Sequence, residues 1–162
     1  MTRTNVFQSN CPMARVTEII GEGWTLMVLR EAFLGTRHFN EFERELGIAR
    51  NILADRLKKL VEAGLMERAA STTDRRVVEY RLTWSGQALF PVLIGLTQWA
   101  SEHLCDGQAS MRFVEKESGR EVAPVGVLSA DGRPLKLADI AMVAGPDADP
   151  SLGARLAKAA ER

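Results

Sequence analysis

At 162 residues, with 46% hydrophobic and 26% charged side chains, the chain is long enough for one ordinary domain plus an appendage, and its composition indicates neither disorder nor a membrane protein. No apolar run approaches the roughly 20 residues that span a bilayer, and MTRTNVFQSN lacks the apolar segment of a signal peptide, so the expectation is a cytoplasmic protein. The 21 basic and 21 acidic residues cancel, and two cysteines in such a chain do not suggest a structural disulfide.

Asn10-Cys11-Pro12-Met13 predicts the start of a first helix, with Asn10 or Cys11 in the cap region and Pro12 at the first helical position, where its missing N–H costs nothing. Met13, Val16, Ile19 and Ile20 form its apolar stripe. Gly21-Glu22-Gly23 breaks the pattern, and Trp24 begins a second helix, WTLMVLREAFLG, apolar on most faces and expected to be the buried hub. Gly35 closes it. Thr36, or backbone nearby, is expected to cap the next helix. Arg37 stands where a guanidinium could grip phosphate oxygens, and His38 reads as a solvated loop residue.

Residues 36–84 organise the rest of the chain. A short helix carries Phe39, Phe42 and Leu46, and Gly47 follows where a tight turn can need a positive φ. In the next helix Leu53, Leu57, Leu60 and Val61 recur at helical spacing, while Arg50, Asn51, Ala54, Asp55 and Lys58 occupy the opposite face. Ala49 cannot cap this helix, so its first N–H groups are expected to meet water or phosphate. Gly64 ends it. Leu65 to Ala69 and the alternating Val78, Tyr80 and Leu82 predict a two-stranded ribbon, with Arg75 and Arg76 at the end of its polar tip.

A helix-turn-helix followed by a basic ribbon is a winged helix, whose second helix enters the major groove of DNA while the ribbon touches backbone or minor groove. The plainer alternative is a small helical domain with a solvated, charged hairpin. Between Arg50 and Arg81 eight Lys/Arg face five Asp/Glu, a local excess hidden in the neutral total. So modest an excess implies few phosphate contacts per subunit, and hence a dimer.

Thr83 is expected to start a long helix running to about Leu104, with Pro91 kinking it or removing one backbone hydrogen bond. Its wide apolar face (Leu89, Val92, Leu93, Leu96, Trp99, Ala100) fits either dimerisation or packing within one subunit. Beyond it, segments 111–117, 121–128 and 134–143 read as three or four short strands with turns at Ser118-Gly119-Arg120 and Ala130-Asp131-Gly132. From Gly145 the chain reads as a flexible stretch ending in a short Ala-rich helix. The expected fold is therefore mainly α with a small β component (α+β): a winged helix-turn-helix domain over 1–105, a small β-rich extension over 106–144 and a tail over 145–162.

The run from Cys11 to His103 resembles the HxlR-type winged-helix transcriptional regulators. The matching features, in order, are Cys11-Pro12, Gly23-Trp24-Thr25, Leu29-Arg30-Glu31, the Gly35 to Phe42 segment, Leu53 to Leu60 and Glu79-Tyr80-x-Leu82-Thr83. The resemblance implies a homodimeric bacterial repressor or activator, paired through its first and last helices, whose recognition helix reads an operator half-site on double-stranded DNA. Some members resemble thiol sensors with an N-terminal cysteine, which makes Cys11 a redox-sensing candidate, because a helix N-terminus favours the reactive thiolate. The alternative is a small side chain packed in the dimer seam. Some members also carry a zinc-ribbon extension. Here Ser118 and Asp131 stand where its cysteines would, so the extension is expected to be metal-free, since structural zinc needs about four S or N ligands.

Nothing resembles a nucleophile elbow, a phosphate loop or a metal triad, and His38 and His103 fall on unrelated elements, so neither an enzyme nor a cofactor is expected. The rival is a winged helix used as a protein-interaction module, since a fold does not fix function. A third reading is control by a small-molecule or oxidant effector, with an aromatic pocket near Trp24, Phe90 and Trp99.

Overall fold

The structure is a computed structural model that describes residues 10–71 and 76–160. Its helices are α1 (Pro12–Ile20), α2 (Gly23–Phe33), α3 (Phe39–Leu46), α4 (Arg50–Glu62), α5 (Trp84–Gln87), α6 (Phe90–Leu104) and α7 (Pro150–Ala160). Strands β1 (Met66–Ala70) and β2 (Val78–Leu82) form one antiparallel ribbon, and β3 (Val127–Leu128) and β4 (Pro134–Leu135) form a second, minimal one. The chain divides into two compact units, residues 19–125 and the remainder.

Within the larger unit α2 is the hub, as its all-round apolarity predicts: it packs against α3, α4, β2 and α6. Val28 and Leu29 of α2 are fully buried with Phe42 of α3 and Leu53, Leu57 and Leu60 of α4. Each such side chain contributes roughly 1.5–3 kcal/mol by leaving water. Ile48, Leu65 and Met66 complete this core, against which Tyr80, Leu82, Leu89 and Leu93 also pack. Gly47 ends α3 at φ 60°, and its N–H donates to the Glu43 carbonyl, so the turn between α3 and α4 uses the left-handed conformation that glycine adopts without strain.

The cap of α3 differs from the expectation. His38, not Thr36, is the N-cap, and the Glu41 carboxylate accepts from the backbone N–H of His38 at 3.1 Å and of Arg37 at 3.3 Å. His38 is half-buried, not solvated, with no hydrogen-bond partner for Nδ1 among the described residues. The His38 N–H holds the Glu41 carboxyl below the usual carboxylate range, with Arg37 N–H adding to it.

Pro91 does not kink one long helix. The chain breaks at Ala88 and Leu89, and Pro91 falls in the first turn of α6, where no N–H is required. Thr83 caps α5: its hydroxyl oxygen accepts from Gly86 N–H at 3.1 Å and donates to the Gly64 carbonyl at 2.6 Å. At Gly86 the backbone passes so close to Leu65 that a Cβ would lie 2.0 Å from the Leu65 carbonyl oxygen. Only glycine allows α5 to dock against the end of the ribbon.

The extension holds less regular strand than its pattern predicts. Residues 111–122 form a turn closed by a single bridge, Val114 with Glu121, and beyond it only the two-residue strands β3 and β4 pair, Val127 with Leu135 and Leu128 with Pro134. The apolar side chains of these segments, among them Val114, Val122, Val127, Leu128 and Leu137, stay exposed, so no buried face stabilises a larger sheet. Pro134 to Val143 is mostly irregular, with a short 3-10 turn at Leu137–Asp139.

Candidate nucleic-acid interface

The buried stripe of α4 fixes which side chains point outward. With Leu53, Leu57 and Leu60 in the core, Arg50, Asn51, Ala54 and Lys58 lie exposed along the other face. Ala49 supplies no side-chain cap, as expected, so the N-terminal end of α4 presents backbone donors. Asn51 makes no side-chain hydrogen bond among the described residues, and Lys58 pairs only loosely with Glu62, at 3.7 Å. Both are available to a ligand.

Arg50 is held differently. Its guanidinium donates to Glu43 Oε2 at 2.5 Å and to Asn40 Oδ1 at 3.5 Å, and lies 4.9 Å from the centroid of the Phe39 ring. The short helix α3 thus aims Arg50 by a charge pair and a cation–π contact. Only Nη1 is engaged among the described residues, so Nη2 and Nε keep donors for a base edge. Asp55 sits at the margin of the face and points back into the protein, 3.2 Å from both Arg56 and Lys59.

Behind the face, Glu22 at the N-cap of α2 pairs with Arg56 and, at 2.6 Å, with Lys59. Arg56 is nearly buried, an arginine inside the apolar stripe that helical spacing alone does not single out. The Lys59 hydrogen bond, then Arg56, holds the Glu22 carboxyl below its usual range, and Glu22 followed by Asp55 raises the Lys59 ammonium above its own. This cluster ties the hub to α4 and sets the orientation of the exposed face.

The ribbon is anchored to the same frame. Tyr80 N–H donates to the Arg37 carbonyl at 2.8 Å, adding a backbone link from β2 to the entry of α3. The Arg37 side chain is half-buried and makes no ion pair among the described residues. Within β2 it is Glu79 that is buried, while Val78, Tyr80 and Leu82 are half-buried. Glu79 can be buried because Arg81 Nη2 lies 2.8 Å away, and the Ser71 hydroxyl, then Arg81, holds its carboxyl low. The Ser71 N–H donates to the Val77 carbonyl at 2.8 Å, bringing the strand ends together at the tip. Arg76 is exposed there, and Arg75 lies outside the described residues.

Cys11 is half-buried immediately before α1, and its carbonyl accepts from Arg15 N–H at 3.1 Å; Cys105 is exposed just after α6. Neither is in a disulfide. Among the described residues no cluster of three His, Cys, Asp or Glu is placed to hold a metal, and no helix is long and apolar enough to cross a membrane.

Comparison with known proteins agrees with this geometry. The HxlR-like helix-turn-helix family model matches residues 19–108. The uncharacterized HTH-type transcriptional regulator Rv3095 of Mycobacterium tuberculosis is 37% identical over 138 residues, covering 76% of this chain and 87% of its own. The crystal structure of PA1607 is similar with a TM-score of 0.78 and 40% identity, over 84% of this chain and 96% of that one. The redox regulator HypR in its oxidized form is similar with a TM-score of 0.52 and 27% identity, over 57% of this chain and 97% of that one. These relatives are described as regulators or transcription factors. With a winged helix-turn-helix whose second helix turns a polar face outward, the chain belongs to the HxlR family of DNA-binding bacterial transcriptional regulators.

Proposed function

We propose that the protein binds a specific double-stranded operator as a homodimer. Helix α4, residues 49–62, enters the major groove, and the ribbon over 65–83 lies on the flanking backbone or minor groove. The observation that carries this reading is the exposed, hydrogen-bonding face of Arg50, Asn51, Ala54 and Lys58 on a helix whose opposite side is fully buried. Arg50 and Asn51 suit guanine and adenine edges respectively, Ala54 suits a thymine methyl, and Lys58, Arg37, Arg75 and Arg76 suit phosphates. Asp55 acts mainly by positioning Lys59 and Arg56.

The dimer forms through α1 and α6, the first and last helices of a DNA-binding and dimerisation region spanning 1–105. The exposed Val92, Leu96 and Trp99 of α6 support that choice. Residues 106–144 form a metal-free extension, and 145–162 a tail with a terminal helix.

Arg50→Ala tests base reading. Operator affinity is expected to fall by roughly 1–3 kcal/mol while binding to random DNA changes far less. An equal loss on both would reduce Arg50 to a phosphate contact. Replacing Arg50, Asn51, Lys58 and Arg76 together by alanine separates the two functional readings, because a protein-docking module would survive it.

A second reading, control by oxidation at Cys11, is favoured by the position of the thiol at a helix entry and by the likeness to the redox regulator HypR. Cys11→Ser is then expected to abolish any response of DNA binding to peroxide or quinone. An unchanged response would remove Cys11 as the sensor.

A further inference from the structure

A cavity of about 470 Å³ opens between the end of α2, the first half of α6 and the turn over residues 111–122, a size typical of small-molecule sites. It lies wholly within the larger compact unit. Its aromatic wall is a chain of three rings: Phe33 and Phe90 have centroids 5.0 Å apart, and Phe113 stands edge-on to Phe90 at 6.2 Å. Leu93 and Ile94 line it as well. Among the described residues the charged groups lining it are Arg30 and Arg112, with no carboxylate.

Each guanidinium is oriented by an acid outside the cavity. Arg30 places Nε and Nη2 on Glu31 Oε1 at 3.1 and 2.6 Å, and Arg112 places Nη1 on Glu121 at 3.0 Å. An arginine has five N–H donors, so each retains donors for a second anion. The wall contributed by residues 111–122 lies beyond the segment matched by the family model, which ends at residue 108. It is fastened to α6 through Gln98, which accepts from Val125 N–H at 2.8 Å and donates to the Ala123 carbonyl at 3.3 Å.

We propose that this cavity is an effector site for a small planar aromatic carboxylate, its ring stacked among Phe33, Phe90 and Phe113 and its carboxylate on Arg112 and Arg30. Aromatic rings supply edge-to-face partners for a flat ligand, and a guanidinium at the rim of an apolar pocket selects a carboxylate over its neutral isostere. The residues of α6 that face the cavity (Phe90, Leu93, Ile94, Thr97) are offset from Val92, Leu96 and Trp99, on which the dimer of the previous section rests. Occupancy therefore acts on the helix that sets the spacing of the two recognition helices. The effector role, though not the binding, rests on that reading.

The test is calorimetric titration of the full-length protein, without DNA, against benzoate, naphthoate and indole acetate, with naphthamide as the neutral control. One site per chain is expected for at least one of the three carboxylates, with naphthamide at least about tenfold weaker than naphthoate. Arg112→Gln, at an exposed position, should weaken the carboxylate by about tenfold without changing the melting temperature, and Phe113→Ala should weaken every ligand.

No binding of any of the three up to millimolar concentration overturns the site. Binding unaffected by Phe113→Ala overturns it as well, and equal binding of acid and amide overturns the anion assignment. In the presence of the bound carboxylate, affinity for the upstream DNA should shift; an unshifted affinity overturns the effector role. Failure to bind any DNA at all would instead count against the operator reading and leave the calorimetric result standing.

Discussion

Helices α4 and α6 are the two longest in the larger unit, and they are finished to different degrees. In α4 the apolar stripe is covered within the chain, with Leu53, Leu57 and Leu60 at 0% exposure, and the outer face is polar. In α6 only Ile94 is buried, at 8% exposure, while Leu96 and Trp99 remain 47% and 55% exposed. A helix with polar residues outward is complete in water, whereas one with leucine and tryptophan outward is stabilised by covering them with another protein surface. One helix is therefore suited to meet nucleic acid and the other to meet a protein surface, which in the proposed dimer is a second copy of the chain.

Four changes would break or sharpen this contrast. Leu57→Ala, in the covered stripe, should destabilise the fold by about 2–5 kcal/mol in chemical denaturation; a near-neutral effect would mean that α4 is not anchored as described. Leu96→Asp, on the uncovered face, should leave the fold intact yet weaken self-association by about a hundredfold, seen in light scattering as a monomer at concentrations where the unaltered protein is dimeric. A dimer unaffected by that charge would assign the apolar face of α6 to some other role. Gly86→Ala should cost about 1–3 kcal/mol, because its Cβ would collide with the Leu65 carbonyl; thermal melts that match the unaltered protein would show that α5 can move aside.

The smallest effect concerns the cluster behind α4. The Glu22 carboxyl is held low, so its contribution is complete above pH 4.5 and is lost as pH falls through the depressed value. Lys59 is held high, so its contribution is complete below pH 10.5 and is lost as pH rises through the raised value. Glu22→Gln should flatten the acid limb of a stability-against-pH curve. An unchanged acid limb would show that the pair is too solvent-screened to matter.

What the sequence made legible was mostly local and periodic. The stripe of α4, the turn at Gly47 and the entry at Pro12 follow from spacing and from the backbone freedom of single residues, and each is where its pattern places it. The features that were not legible depend on distant parts of the chain. Arg56 lies inside the apolar stripe because Glu22, far away in sequence, neutralises it. Glu79 is buried in place of an apolar neighbour because Arg81 and Ser71 surround its carboxylate. Gly86 is required by the approach of Leu65, which no local motif announces. Alternation in the extension suggested strands, but a strand also needs a partner and a surface to cover, and there pairing is confined to β3 with β4 and the single bridge of Val114 with Glu121.

The central claim, a polar α4 face that reads sequence, is tested most directly by titrating the protein against its own upstream DNA and a scrambled duplex at two salt concentrations. The account predicts tighter binding to the upstream DNA at both salts, with affinity for either duplex falling as salt rises because phosphate contacts release counterions. Equal affinity for the two duplexes at both salt concentrations would contradict it and leave the winged helix as a surface for another protein.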